Sequence, residues 1–498
     1  MITEKIQFFA EMQKQGLALT FDDVRLRTDR SSVTPTNVKI TSRFSTHVEL
    51  KVPIVSAAMD TVTTANMAIA VAKIGGIGVI HAGLTPEEQR IEVRRVKLHL
   101  NGFVEKPVTA KDDQTMAEVI AMCEEKQFDF KTFPVVNSKG KFVGLLTQND
   151  FDFSDKSTLV RNAMTPSKDA TTAPASISVE SAYDLMREHK KKTLPIIEKD
   201  GTLGGMYVFS DVKRIAEGNP DQYNLDENGS LRVAAAVPTD DGALERVRLM
   251  HKYVDVVVID TAQGDSDFAV DTLKKLKAEF PDIDVVVGNI SEGASARALA
   301  EAGADGIKVG QGPGSICTTR TETGIGCPQV TAVYECARAV REAGYNIPVC
   351  ADGGIKDPGD ISIAIAAGAD SVMMGGRLAG TKEAPGQILE LEDGSRVKLY
   401  RGMGSPSALR DSAASRKRYG ITEGVVGKPL AEGVESYVPY KGEVFNVLDR
   451  FMKALRKSMS YVGAPDIAAH QKNTMFWRIT GSGLRESHPH DVRVVSRT

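Results

Sequence analysis

The sequence predicts a (β/α)8 barrel interrupted by a smaller α/β module. Three observations carry this reading. Eight short apolar runs each end in a small or polar residue, helical patterns lie between them, and the gap after the second run is too long for one barrel step. Near-continuous apolar runs of this length suit strands buried on both faces of a parallel sheet. The chain has 498 residues, well beyond the roughly 250 that a barrel needs. An open doubly wound sheet is the alternative, and the count of eight runs favours closure.

In order, the predicted strands cover 54–56, 78–80, 233–237, 256–260, 285–288, 307–310, 349–352 and 372–375. Thr85-Pro86-Glu87-Glu88 reads as a capping box with Pro at the first helical position. It opens a helix whose Val93, Val96 and Leu100 share one face. Residues 294–302, stopped by Gly303, and 361–367, stopped by Gly368, read as two more helices.

The barrel is thus expected in two pieces, 1–102 and 221–498, around a unit at 103–220. That unit repeats itself. Phe133-Pro134-Val135-Val136, Gly140, Val143-Gly144-Leu145-Leu146 and Asn149-Asp150 are echoed by Leu194-Pro195-Ile196-Ile197, Gly201, Gly205-Met206-Tyr207-Val208 and Ser210-Asp211. Each half reads as strand, glycine turn, strand, then a polar residue and Asp opening a helix. The pair resembles a tandem CBS motif, also called a Bateman domain. That resemblance implies a cleft for an adenine or guanine nucleotide; a purely structural insertion is the other reading.

Composition excludes several classes. A net charge of −3, from 62 Lys+Arg against 65 Asp+Glu, gives no electrostatic reason to expect nucleic acid or a membrane surface. Five cysteines, an odd and sparse set, argue for a reducing, cytoplasmic setting rather than a disulfide framework. The first residues, MITEKIQFFAEMQKQG, carry charges where a signal peptide needs an apolar run.

The chemistry concentrates in Gly310-Gln311-Gly312-Pro313-Gly314-Ser315-Ile316-Cys317-Thr318-Thr319-Arg320. This stretch follows the sixth strand and so falls on the C-terminal rim, where barrel active sites lie. Its glycines let the backbone approach a ligand or ion closely. A lone Cys is usually structural, but one among glycines and hydroxyls is placed to be an exposed nucleophile; Cys336, in an apolar helical context, reads as core. Asp352-Gly353-Gly354 after strand seven and Gly375-Gly376 after strand eight stand where barrels bind phosphate through backbone N–H groups, and Ser315 can add a hydroxyl. No Gly-x-Gly-x-x-Gly opens a helix after a first strand, so a Rossmann dinucleotide site is not expected.

GPGSICTTR, with Thr323-Gly324-Ile325-Gly326, resembles the active-site loop of the inosine 5′-monophosphate (IMP) dehydrogenase family. Residues 19–24, Ser56 to Val62, Ala351 to Ile355, Tyr400-Arg401-Gly402-Met403-Gly404-Ser405 and Arg485 to Asp491 extend the likeness over nearly the whole chain. The resemblance implies oxidation of IMP by NAD through a covalent bond to Cys317, with Thr319, Arg418 and Tyr419 completing the catalytic set. It implies that Ser56, Met59, Ser315, Asp352, Gly353, Gly354, Gly375, Gly376, Tyr400, Gly402, Met403, Gly404 and Glu432 hold the nucleotide. Asp260, Asn289, Gly310, Gln311 and Gly312 would face NAD. Gly312, Gly314 and Cys317 would ligate K⁺ together with Glu486, Ser487 and His488 of a neighbouring subunit, which implies a homotetramer or an octamer. Without the resemblance, His488 and His490 would suggest a transition metal.

This chain departs from the family pattern at Gly376, where Ser is usual, at Gln263-Gly264-Asp265-Ser266, where His-Gly-His-Ser is common, and at Gln311, which replaces an apolar residue. The polar stretch from Ser405 to Gly433 reads either as a solvated basic loop or, by resemblance, as a mobile flap carrying Arg418-Tyr419. The nearest rival activity is GMP reductase, on the same barrel. It would carry Glu where this chain has Pro406 and would lack the Arg-Tyr pair. A nucleotide-sensing protein with an inactive barrel is a rival of another class.

Overall fold

In the computed structural model, residues 2–492 are described, except 101, 105, 126, 127, 129, 130 and 422–429. The chain divides into two units, residues 98–221 and the remainder.

The larger unit is a closed eight-stranded barrel of β1 (Ile54–Ser56), β2 (Ile77–Ile80), β3 (Ala234–Val237), β4 (Val256–Asp260), β5 (Asp284–Ile290), β6 (Gly306–Val309), β7 (Val349–Asp352) and β8 (Ser371–Met374). All neighbours are parallel, and β8 pairs with β1 to close the ring. The ladder also crosses the insertion without a break: Ala234 faces Val79 and Ala235 faces Ile80. The expected barrel is therefore correct, and an open sheet is ruled out. Helices α1 (Ala65–Ile74), α2 (Pro86–Lys97), α3 (Asp241–Met250), α4 (Asp267–Glu279), α5 (Gly293–Glu301), α6 (Gln329–Glu342), α7 (Pro358–Ala367) and α8 (Val444–Tyr461) surround it. Contacts of α8 with both α7 and α1 complete the outer ring.

Val55, Ile77, Val79, Ala234, Ala236, Val256, Val258, Val286, Cys350 and Met373 fill the interior together with Phe44, Val48 and Leu50. The last three sit on or beside the hairpin of Ser42–Arg43 and Glu49–Leu50. That hairpin seats on the N-terminal ends of β5 and β6, where the His47 N–H meets Asp284 at 2.8 Å and the Thr46 N–H meets the Asp305 carbonyl at 2.9 Å. One barrel end is thus plugged by apolar side chains, each fully buried Val, Leu or Phe contributing about 1.5–3 kcal/mol. The C-terminal end remains for chemistry.

Local signals explain the helices. Thr85 and Glu88 exchange the expected capping hydrogen bonds, at 2.9 and 3.3 Å, ahead of α2. Asp357 and Asp360 form a second capping box at α7, with Pro358 at its first position. Leu100 corrects the expected apolar face: α2 ends at Lys97, and the residues it buries are Gln89, Val93 and Val96.

The unit 98–221 holds two four-stranded sheets. One runs Thr165–Pro166, Phe142–Leu146, Phe133–Val136, Ala110–Lys111; the other runs Ala173–Pro174, Thr193–Ile197, Leu203–Val208, Phe103–Val104. Each has its own core, around Phe133, Val135 and Leu146 in one and Leu194, Ile196 and Val212 in the other. The halves differ at the helix after the hairpin. Thr147 and Asp150 form a capping box, whereas Ser210 and Asp211 lie inside the first turn of Phe209–Ala216. Among the described residues no helix is long and apolar enough to cross a membrane.

Candidate active site

Six of the eight barrel strands bring chemistry to the C-terminal rim at their ends or in the loops after them. Met59 follows β1, Asp260 ends β4, Asn289 lies near the end of β5, Gly310 follows β6, Asp352 ends β7 and Gly375 follows β8. They share the wall of a cavity of about 410 Å³ with Gln311, Gly312, Gly314, Ser315, Cys317, Thr319, Gly353, Gly354, Gly376, Tyr400, Gly402, Met403, Arg418, Tyr419 and Glu432.

The cysteine loop is stitched to two later segments. Thr318 N–H donates to the Glu432 carbonyl and Val434 N–H to the Ile316 carbonyl, both at 3.0 Å. Gly402 N–H donates to the Val434 carbonyl and Glu432 N–H to the Gly404 carbonyl, also at 3.0 Å. The half-exposed Cys317 Sγ lies 3.2 Å from Thr319 Oγ1, whose hydroxyl donates to Glu432 Oε2 at 2.7 Å. A hydroxyl that donates to a carboxylate keeps its lone pairs for a proton from the other side. The Glu432 carboxylate therefore serves the cysteine loop through Thr319.

On the opposite wall, Lys308 is 1% exposed and lies 2.9 Å from Asp260 Oδ1 and 2.7 Å from Asp352 Oδ2. It also bonds Asn289 Oδ1, while Asn289 Nδ2 donates to Asp352 at 2.9 Å and to the Gly310 carbonyl at 2.6 Å. Two carboxylates at the ends of β4 and β7 are thus held by one buried ammonium, which repays its desolvation only through such partners. Arg418 makes a second ion pair with Asp260. Its segment, the helix Ala413–Arg418, docks through the Arg418 carbonyl, which accepts from Ala262 N–H at 3.1 Å and from Thr261 Oγ1 at 3.3 Å. Tyr419 packs on Gly404, where an added Cβ would lie 2.7 Å from the ring. Residues 422–429 of the expected flap lie outside the described residues.

Tyr400, Ser315 and the glycine pairs form the third wall. Burial, with Asp352 and Cys317 nearby, pushes the Tyr400 hydroxyl well above its ordinary range, so it stays a donor. An added Cβ at Gly376 would lie 3.2 Å from the Tyr400 ring and 3.3 Å from Ser315 Oγ. Those two hydroxyl-bearing side chains already occupy the space a side chain at 376 would enter. Lys441 also lines the cavity here, donating to the Gly376 and Arg377 carbonyls at 3.1 Å each. Burial and Arg377 push it down to about 8.

A family model described as the IMP dehydrogenase / GMP reductase domain matches residues 18–490. The inosine-5′-monophosphate dehydrogenase of Aquifex aeolicus is 44% identical over 97% of this chain and 96% of its own length. The chain belongs to the IMP dehydrogenase / GMP reductase family. The Halalkalibacterium halodurans inosine-5′-monophosphate dehydrogenase is 40% identical over 97% of each chain. Among solved structures, a cysteine-to-alanine GMP reductase from Trypanosoma brucei in complex with guanosine 5′-monophosphate aligns at TM-score 0.82 and 38% identity. That alignment covers 96% of this chain and 98% of the other.

Against the family pattern, two of the sequence-derived nucleotide contacts stand off the cavity wall. Ser56 is fully buried and accepts from the Thr63 hydroxyl at 2.9 Å, so it braces the loop that carries Met59. Gly404 backs Tyr419 rather than lining the cavity. Gln311 reaches the wall with its side chain committed to Ala262, Gln263 and Ser291. Gly312, Gly314 and Cys317 offer neutral backbone oxygens on one loop. Among the described residues no backbone N–H donates to the Gly312 or Cys317 carbonyls, while that of Gly314 accepts from Cys317 N–H at 3.1 Å. Hard, uncharged oxygens of this kind fit a monovalent cation. Glu486, Ser487 and His488 are exposed, at the end of the helix Gly481–Glu486, and do not line the cavity.

Lys308 and Lys441 are the residues that sequence reasoning passed over. Lys308 left a signal, since a lone charge inside a strand buried on both faces demands a partner. Lys441, in a polar loop, left none.

Proposed function

We propose that this chain oxidises IMP to xanthosine 5′-monophosphate with NAD⁺, a step of guanine nucleotide synthesis. One observation carries the reading: a reachable thiol, a hydroxyl–carboxylate pair beside it and an arginine docked on an aspartate converge on one cavity. A transfer that ends in hydrolysis needs all three.

Tyr400, Ser315 and the backbone of Gly353, Gly354, Gly375 and Gly376 hold the phosphate, and Asp352, fixed by Lys308 and Asn289, holds the ribose. Met59, Gly402 and Met403 flank the base and set its C2 against Cys317. The Cys317 thiolate attacks C2, and departure of the C2 hydride leaves a C–S thioimidate. NAD⁺, when bound along Asp260, Asn289, Gly310 and Gly312, supplies the hydride acceptor. Asp260 cannot hold a dinucleotide ribose and Arg418 together, so the docked Arg418 belongs to the second half. A water then adds to C2, its proton passing by way of Thr319 to Glu432, and the C–S bond breaks to return the thiolate. Arg418 stays a cation and, with Tyr419, orients the water.

K⁺ at the Gly312, Gly314 and Cys317 carbonyls, completed by Glu486, Ser487 and His488 of a second copy, fixes the cysteine loop. A shared ion entails an oligomer, and the family resemblance makes it a homotetramer, or an octamer built from one. The unit 98–221 is read as a tandem CBS domain that takes a purine nucleotide. Five unpaired cysteines suit a cytoplasmic enzyme.

The second reading, GMP reductase, draws on the likeness to the Trypanosoma brucei enzyme. Pro406, Arg418 and Tyr419 favour the dehydrogenase, because a deamination that consumes NADPH needs no hydrolysis of a thioimidate. Near-ultraviolet absorbance tests the two: NADH appearing with IMP and NAD⁺ is expected, and NADPH consumption with GMP alone would overturn the assignment.

A further inference from the structure

We propose that Gln311 is a positioning residue for the hydrolytic half-reaction, clasping the loop after β4 so that the Arg418 segment docks on it. This rests on the dehydrogenase reading above. Gln311 lies at the foot of the cysteine loop, where its carbonyl accepts from Arg320 Nε at 2.9 Å. Its Nε2 donates to the Ala262 carbonyl and to Gln263 Oε1, both at 2.9 Å, and its Oε1 accepts from Ser291 Oγ at 2.7 Å. One carboxamide therefore joins the loops that follow β4, β5 and β6. Both of its N–H donors are used, so its orientation is set by its partners.

The link to hydrolysis passes through Ala262. The Ala262 N–H donates to the Arg418 carbonyl at 3.1 Å, and the Ala262 carbonyl accepts from Gln311. Thr261 Oγ1 donates to the same Arg418 carbonyl at 3.3 Å, and Asp260, next in line, takes the Arg418 guanidinium. Residues 260–262 thus hold the Arg418 segment on one side and Gln311 on the other. An apolar side chain of equal size at 311 would fill the space, but it would deprive the Ala262 carbonyl and the buried Ser291 hydroxyl of these partners. The loop would then present its N–H and hydroxyl to Arg418 in a less defined geometry. None of the Gln311 side-chain bonds involves Cys317, Thr319 or Glu432, so the contacts among those three would persist.

Gln311→Met and Gln263→Ala test this by rapid mixing and acid quench. Gln311→Met removes all three side-chain bonds; Gln263→Ala removes one, at an exposed position. With IMP and NAD⁺, both variants are expected to keep a stoichiometric NADH burst and an unchanged KM for IMP. Steady turnover should fall about tenfold in Gln311→Met, as the loss of one to two net hydrogen bonds implies, and less in Gln263→Ala. The share of Cys317 carrying the adduct, read by mass spectrometry of quenched samples, should rise in the same order. Burst and turnover falling together would overturn the proposal, because Gln311 would then act in dinucleotide binding or in the fold. Unchanged turnover in both variants would overturn it as well. Failure of the wild-type chain to form xanthosine monophosphate is seen before any substitution and would refute the underlying reading itself.

Discussion

A nucleophilic thiol must be reachable and able to ionise, and burial denies this to the other cysteines. Cys336 and Cys350 are buried, and desolvation drives both thiols up, Cys350 to about 12. Cys327 is pushed up to about 11 by its surroundings, and Cys123 is raised by burial too. Cys317 stands on the cavity wall beside a hydroxyl. Brief alkylation followed by peptide mapping is expected to label Cys317 ahead of the other four, with protection by IMP. Cys317→Ala should bind IMP and form no NADH; equal labelling of Cys327, or turnover by the alanine variant, would contradict the covalent step. Lys308 makes a different kind of demand. Its ammonium separates Asp260 from Asp352, and Lys308→Met would leave two carboxylates facing each other across an apolar strand. Stranding a buried charge costs about 3–5 kcal/mol. Denaturant unfolding should show a loss of that order, together with loss of turnover, and an unaltered midpoint would mean that water already solvates the pair.

Elements were legible where one local rule decides them. Strands β1, β4 and β7 begin and end where their apolar runs do, because a parallel strand buried on both faces has no polar position to blur it. The capping box of α2 was similarly readable, although α2 ends short of Leu100; that of α7 was not, and α7 begins at Pro358 rather than at 361. The site was legible as loops but not as contacts. The Glu432 carboxylate meets Thr319, a partner 113 positions away that no spacing rule connects. His470 shows what long-range packing adds. It lies on the helix Ile467–Asn473, its Nε2 donating to the Ser362 carbonyl of α7 at 3.0 Å and its Nδ1 accepting from Thr474 Oγ1 at 2.9 Å. Burial pushes this imidazole from 6.5 down to about 4. The native state therefore binds fewer protons than the unfolded chain. Its contribution is complete above pH 6.5 and is lost as pH falls toward 4, by up to roughly 3 kcal/mol. Unfolding free energies measured across that window should decline with acid, and His470→Gln should flatten the slope; an unchanged slope would place the titration elsewhere.

At the scale of the molecule, the separation into two units is functional as well as architectural. Every residue on the cavity wall belongs to the barrel unit, and the β2–β3 ladder closes across the insertion. Replacing residues 98–221 by a short linker should therefore leave kcat and the KM for IMP near wild type while abolishing any response to purine nucleotides. A folded but inactive deletion would show that the unit helps to build the site. The repeat made this unit visible in the sequence, whereas nothing there announced which side chains would meet across the barrel. The proposed K⁺ site belongs to this scale too, because on that proposal one chain would supply only part of its cage. Among the described residues the carbonyls of Gly312 and Cys317 lack backbone donors, and they flank the loop that aims the nucleophile. An ion bound there would tie that loop down at the nucleophile itself, so its removal should slow hydride transfer as well as hydrolysis. Carbonyl cages discriminate among monovalent ions by size and field strength. Turnover is therefore expected to rise with K⁺ and to remain low in Li⁺. Glu486 is exposed within the single chain, and on the proposed arrangement it joins the cage from a second copy. Glu486→Ala should raise the K⁺ concentration needed for half-activation and, in sedimentation velocity, shift the proposed tetramer toward smaller species. Equal rates in every monovalent salt, or a Glu486→Ala variant with wild-type K⁺ response, would remove the cation from the site and with it the argument for a shared interface.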